Sequence, residues 1–103
     1  MKRRSGDIEE GGDAVAGLAE AMLRLRTPAQ MQAFLEDLCT PAELEAMTDR
    51  WRVVPLLLDG VPYREIHDIT GVSVTTIGRV ARTLDRGAGG YASASKRRAA
   101  RGT

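Results

Sequence analysis

The chain has 103 residues, a net charge of +1, 43% hydrophobic residues and only 4% aromatic ones, which suits one domain with an aliphatic core. Its single cysteine, Cys39, and single histidine, His67, exclude an intrachain disulfide and a cysteine- or histidine-rich metal site. They also leave no recognisable catalytic constellation, so neither an enzyme nor a cofactor is expected. No apolar run approaches the ~20 residues of a membrane span. The opening "MKRRSGDIEEGGD" has no apolar stretch behind its charges, so it is not a secretory signal, and an intracellular protein is expected. Charge is uneven along the chain. Residues 1–59 carry 7 Lys+Arg against 11 Asp+Glu, and residues 60–103 carry 8 against 3. A basic second half suits a polyanionic partner.

Residues 1–13, with three glycines and many charges, read as disordered. Helical spacing starts at Ala14, with Val15, Leu18, Met22 and Leu25 three or four residues apart. Two helix starts follow. "TPAQ" at Thr27–Gln30 and "TPAE" at Thr40–Glu43 each offer a threonine cap, a proline at the first helical position and a Gln or Glu that can return a bond to the cap. The first of these helices carries Met31, Phe34, Leu35 and Leu38; the second carries Leu44, Met47, Trp51, Val54 and Leu58. Pro55 lies inside the second, where a kink or an early end is expected. Trp51 is expected to anchor the core or a dimer, and Cys39 to be a small buried hydrophobe. Three apolar-striped helices before Gly60 are more than a chain this short can cover alone, so a homodimer is expected.

Gly60 should end that helix, Pro62 open a short one through Ile69, and Gly71 end it in turn. Ser73 should then cap a helix from Val74 to Leu84. No alternating strand pattern occurs, so the chain reads as all-α with about five helices: a helical domain over 14–86, then a mostly flexible basic tail over 87–103. The tail's Lys96, Arg97, Arg98 and Arg101 read as solvated charge, with phosphate contact the alternative. Helix, glycine turn, helix over residues 62–84 is the layout of a helix-turn-helix. Ile66, Ile69, Val72, Ile77 and Leu84 should pack, which leaves Val74, Thr75, Gly78 and Arg79, with the cap Ser73, at the exposed start of the second helix. In this motif that stretch faces base edges in the major groove of double-stranded DNA. Hydroxyls can bond phosphates and bases, and methyl groups can touch thymine. Gly78, at ~1 kcal/mol against alanine in a helix interior, suits a close approach. A helical protein–protein interaction module with a degenerate helix-turn-helix is the other reading.

The landmarks "FLEDLCTPAELEAM", "DRW", "LLLDG", "YREI", "TGVSVTTIGRVARTL" and "GAGGY" occur in order between Phe34 and Tyr91. With them the chain resembles the Trp repressor superfamily, in particular its YerC/YecD-type bacterial branch. The resemblance implies an interlocked dimer, a sequence-specific regulator, most simply a repressor, and a cytoplasmic, nucleoid-associated setting. It implies Arg64 and His67 as DNA contacts on the first motif helix, beside Val74, Thr75 and Gly78 on the second. It also implies a corepressor pocket at Thr40, Arg50, Thr76 and Arg79. The residue after Arg79 is glycine in the tryptophan-binding repressor and Val80 here. A branched side chain there is expected to enter the ligand's space, so any small-molecule effector is expected not to be tryptophan.

Overall fold

The computed structural model describes residues 11–95, which divide into two units between Thr40 and Pro41. The expectations for residues 1–10 and for the basic residues 96–103 lie outside the described residues.

The first unit holds α1 (Gly11–Leu23) and α2 (Pro28–Leu38). α1 starts three residues before the expected Ala14, so Gly11, Gly12 and Asp13 are helical. Asp13 sits in the first turn, where a carboxylate complements the helix dipole. α2 starts on a complete capping box. The Gln30 N–H donates to Thr27 Oγ1 at 3.1 Å, and the Thr27 N–H donates to Gln30 Oε1 at 3.3 Å. Two donors that an α-helix leaves orphaned are thereby satisfied by local sequence alone. Neither helix has a buried residue. Val15 and Leu23 are 68% and 84% exposed, while Met22, Leu25, Met31, Phe34, Leu35 and Cys39 are half-buried.

The second unit holds α3 (Pro41–Leu58), α4 (Tyr63–Thr70) and α5 (Val74–Arg86), then a short helix α6 over residues 90–95. α3, α4 and α5 all pack on one another. Val53 and Val54 of α3, Ile66 of α4, Val72 of the turn, and Ile77 and Val80 of α5 form the core, each at most 5% exposed. Leu56, Leu57, Val61, Leu84 and Tyr91 pack around it. Burying a side chain of this size contributes about 1.5–3 kcal/mol relative to leaving it exposed.

The glycines behave as their sequence context requires. Gly60 has φ 80°, with the Gly60 and Val61 N–H groups returning to the carbonyls of Leu57 and Leu56, both at 3.0 Å. That is a Schellman ending. Gly71 has φ 79°, and its N–H returns to the His67 carbonyl at 2.8 Å.

Ile69 departs from expectation, and Pro55, Trp51 and the segment after Arg86 are specified more closely. α3 runs through Pro55 to Leu58, so of the kink or early end expected there the early end does not occur. Buried Val53 and Val54 hold the turn before the proline, and the Asp59 N–H reaches the Pro55 carbonyl at 3.0 Å after it; tertiary packing outweighs the lost bond. Ile69 is 57% exposed, not packed, because Ile66 already fills the face of α4 that meets its neighbours. Trp51 is 40% exposed and no part of the buried core, so of its two expected roles the dimer anchor stays open; its ring lies 6.4 Å from that of Tyr91, tilted by 40°. The segment after Arg86 is also not a flexible tail throughout. Gly89 turns the chain with φ 89°, residues 90–95 are helical, and Tyr91 packs on the core. Aromatic burial outweighs a Gly-rich composition there.

Candidate nucleic-acid interface

The turn between α4 and α5 is closed by hydrogen bonds from side chains that the sequence places beside it. The Thr70 hydroxyl donates to the Ile66 carbonyl at 2.7 Å and accepts from the Val72 N–H at 3.0 Å. His67 Nδ1 lies 2.8 Å from the Val72 carbonyl. A carbonyl only accepts, so Nδ1 carries the hydrogen and Nε2 is left for other partners. From α3, the Arg52 guanidinium donates to the Thr70 carbonyl at 3.1 Å while lying 3.7 Å from Asp49. This bond ties the end of α4 to α3. With Gly71 left-handed and Val72 buried, the turn fixes the angle at which α5 leaves α4.

α5 starts on its cap. Ser73 Oγ accepts from the Thr76 N–H at 3.1 Å and donates to Thr76 Oγ1 at 3.1 Å. The Ser73 hydroxyl, expected to be a DNA contact, is therefore engaged in the cap. Its neighbours divide by face. Ile77, Val80 and Leu84 point to the core. At 100° per residue, the side directly opposite carries Thr75, Arg79, Arg82 and Arg86, and all four are exposed. Val74 is 51% exposed, and Gly78 lies half-buried beside the outer row. On α4, Arg64 and His67 are exposed. The structure thus brings Val74, Thr75, Gly78 and Arg79 together on the exposed side of one helix, with Arg64 and His67 on its partner.

The corepressor positions fare differently. Arg50 is half-buried on α3, Thr76 is held by the cap, and Arg79 is exposed. Thr40 is exposed and closes the first unit. Val80 is 1% exposed within the core, not beside an open ligand space. It follows Ile77 by three residues and precedes Leu84 by four, so it falls on the inner stripe. The concavity beside Arg79 is instead lined by Arg79, Arg82, Thr83, Arg86 and Gly87. A second, apolar one is lined by residues 83–84 and 88–92.

Sequence reasoning missed Arg82 and Arg86. The signal was present, because Thr75, Arg79, Arg82 and Arg86 follow each other by four, three and four residues, one helical stripe. A Cβ at Gly78 would lie 3.6 Å from Arg82 Nη1 and 3.9 Å from Tyr63 Cε2. The Arg82 guanidinium thus folds back toward Gly78, where a methyl group would make only ordinary contacts with it. No group of three or more His, Cys, Asp or Glu able to hold a metal occurs among the described residues. Nor is any of their helices long and apolar enough to cross a membrane.

Comparison with known proteins bears on this geometry. The Trp repressor protein family matches residues 13–99. The Bacillus subtilis (strain 168) protein YerC, itself uncharacterized, is 34% identical over 80 residues, covering 78% of this chain and 77% of YerC. The crystal structure of a candidate Trp repressor from Staphylococcus aureus superposes with a TM-score of 0.79 at 30% identity, covering 91% of this chain and 94% of the other.

Proposed function

Because the chain belongs to the Trp repressor family, as a YerC-type member, we propose that it is a sequence-specific DNA-binding regulator that acts as a homodimer and represses transcription. The family is regulatory rather than enzymatic. The observation that carries the proposal is α5 itself. Its start is capped and fixed by a tight turn, and Thr75, Gly78 and Arg79 lie away from the core. A helix held in this way can enter a major groove with its N-terminal residues against base edges. Thr75 then reads bases through its hydroxyl and methyl, Val74 offers an apolar contact to thymine methyls, and Arg79 bonds guanine or phosphate. Arg64 and the free Nε2 of His67 contact the backbone from α4. Ser73 acts through the cap, with the N–H groups of the first turn open to phosphate. Two copies of the motif reach successive major grooves about 34 Å apart, so the operator is a near-palindrome.

No tryptophan corepressor is needed in this proposal. Val80 occupies the inner face of α5 and is packed into the core. Opening a ligand space there would unpack Ile77 and Leu84 as well. DNA binding is then constitutive or tied to another, smaller effector.

Genome-wide mapping followed by footprinting on the recovered sites tests the regulator. Thr75→Ala or Arg64→Ala should weaken operator binding by about 1–3 kcal/mol where the residue reads a base, without loss of helicity. Operator binding as tight as wild type in both variants would discard this face. Calorimetry with tryptophan should give no saturable heat, and tryptophan should leave operator affinity unchanged.

A further inference from the structure

The arginines of α5 extend past the residues that could read bases. Arg79, Arg82 and Arg86 lie on the side of the helix opposite Ile77, Val80 and Leu84, all three exposed. They span about 10 Å of helix axis at 1.5 Å per residue. Between them runs a cleft floored by Thr83 and Gly87. At Gly87 a Cβ would stand 2.5 Å from the Thr83 carbonyl oxygen, so the chain can pass this close to the last turn of the helix only as glycine. Neither Arg79 nor Arg82 has an ion-pair partner among the described residues. Arg86 meets only its neighbour Asp85, at 3.6 Å, with both side chains about four-fifths exposed. The Arg82 guanidinium also reaches back toward the start of the helix, its Nη1 3.6 Å from where a Cβ at Gly78 would stand. Arg79, Arg82 and Arg86 therefore line one concavity, with the Arg82 guanidinium folded back toward Gly78 and Arg86 in the last turn of the helix.

We infer that Arg82 and Arg86, with Arg79 beside them in the same cleft, form a binding site for the phosphodiester backbone of duplex DNA. This inference rests on the reading of α5 as the DNA-facing helix and adds a second kind of contact to it. Duplex DNA carries a negative charge about every 1.7 Å of axis counting both strands, so several phosphates lie within reach of a three-arginine row. Planar guanidinium groups bond phosphate oxygens in pairs and stay charged at any relevant pH. These contacts hold the protein on the duplex whatever the sequence. Thr75 and Val74, near the cap, supply the discrimination.

The test is the salt dependence of binding by the full chain to an operator and to a random duplex. Wild type is compared with Arg82→Gln/Arg86→Gln and with a control of equal charge change in the first unit, Arg24→Gln/Arg26→Gln. Each phosphate contact contributes about 0.9 to the slope of log affinity against log salt. On the proposed homodimer the Arg82/Arg86 variant loses two such contacts per protomer, so it should bind more weakly with a slope shallower by about 3.6, equally on both duplexes, and the control should keep the wild-type slope. Thermal unfolding is recorded alongside, because a cation near a helix C-terminus also steadies the helix. An unchanged slope with a lowered melting temperature would mean that the arginines serve the helix end, and the inference fails while the regulator stands. An equal drop in the control, or a drop on the operator alone, also overturns it. Wild type that does not bind any duplex overturns the regulator itself and this site with it.

Discussion

α1 and α2 contain no buried side chain, whereas α3, α4 and α5 share a six-residue core, although both units are built from helices with the same spacing of apolar residues. The difference is one of partners. In the second unit three helices meet, and each stripe finds two others to cover it. In the first unit, Val15, Leu18, Leu23 and Leu38 remain 37–84% exposed, more apolar surface than a solitary soluble helix pair ordinarily keeps in water. A stripe read from sequence gives the side of the helix that must be covered, but not the chain that covers it. A second copy is the covering we propose.

Breaking the first unit's surface should give the largest effect. Val15→Glu/Leu18→Glu places two charges on that stripe, and sedimentation should change from one species of twice the chain mass to one of a single chain mass. A wild-type monomer that stays folded on dilution would remove the premise altogether. The second unit responds in a different currency. Ile77→Ala empties a fully buried site and should cost about 2–5 kcal/mol in denaturant unfolding at fixed protein concentration, since dimer stability depends on concentration. Trimming exposed Ile69 the same way should stay within about 0.5 kcal/mol.

A finer contrast lies within α5. Ser73→Ala removes the acceptor of the Thr76 N–H and should cost ~1 kcal/mol of stability, while Thr75→Ala, two residues on, should leave the melting temperature nearly unchanged and weaken operator binding. The reverse pattern would exchange the cap and the reader. Smallest of all is Gly78→Ala. Its Cβ would make only ordinary contacts with Arg82 and Tyr63, so the helix should gain up to ~1 kcal/mol while DNA binding weakens. Binding that improves along with stability would show that the glycine serves no close approach.

What was legible in the sequence is chemistry completed within a few residues. Thr27 with Gln30, Gly60, Gly71, and Ser73 with the residue three places on are each local bargains between a side chain and the backbone next to it. The helix-turn-helix follows from them, as does the outward placement of Thr75 and Arg79. What escaped depends on neighbours distant in sequence. Nothing near Pro55 says that Val53 and Val54 will be locked in a core, and nothing near Ile69 says that Ile66 alone will meet α3 and α5. Val80 differs from these. Its spacing from Ile77 and Leu84 points inward, and it lies buried with Ile77 in the core. Tyr91 was hidden by the glycines around it, because its partner Trp51 lies forty residues earlier.

That last pairing has a consequence for how the protein is made. Chains leave the ribosome N-terminus first, at about 5–20 residues per second. α1 and α2 emerge with their stripes bare. α3 follows, and Trp51 then waits for forty more residues before Tyr91 exists to meet it. For those few seconds of synthesis, the parts that would meet a second copy are out while the unit with the helix-turn-helix is still incomplete. If α1 and α2 pair with a second copy, as proposed, neighbouring nascent chains on one messenger would meet before either had completed its helix-turn-helix unit.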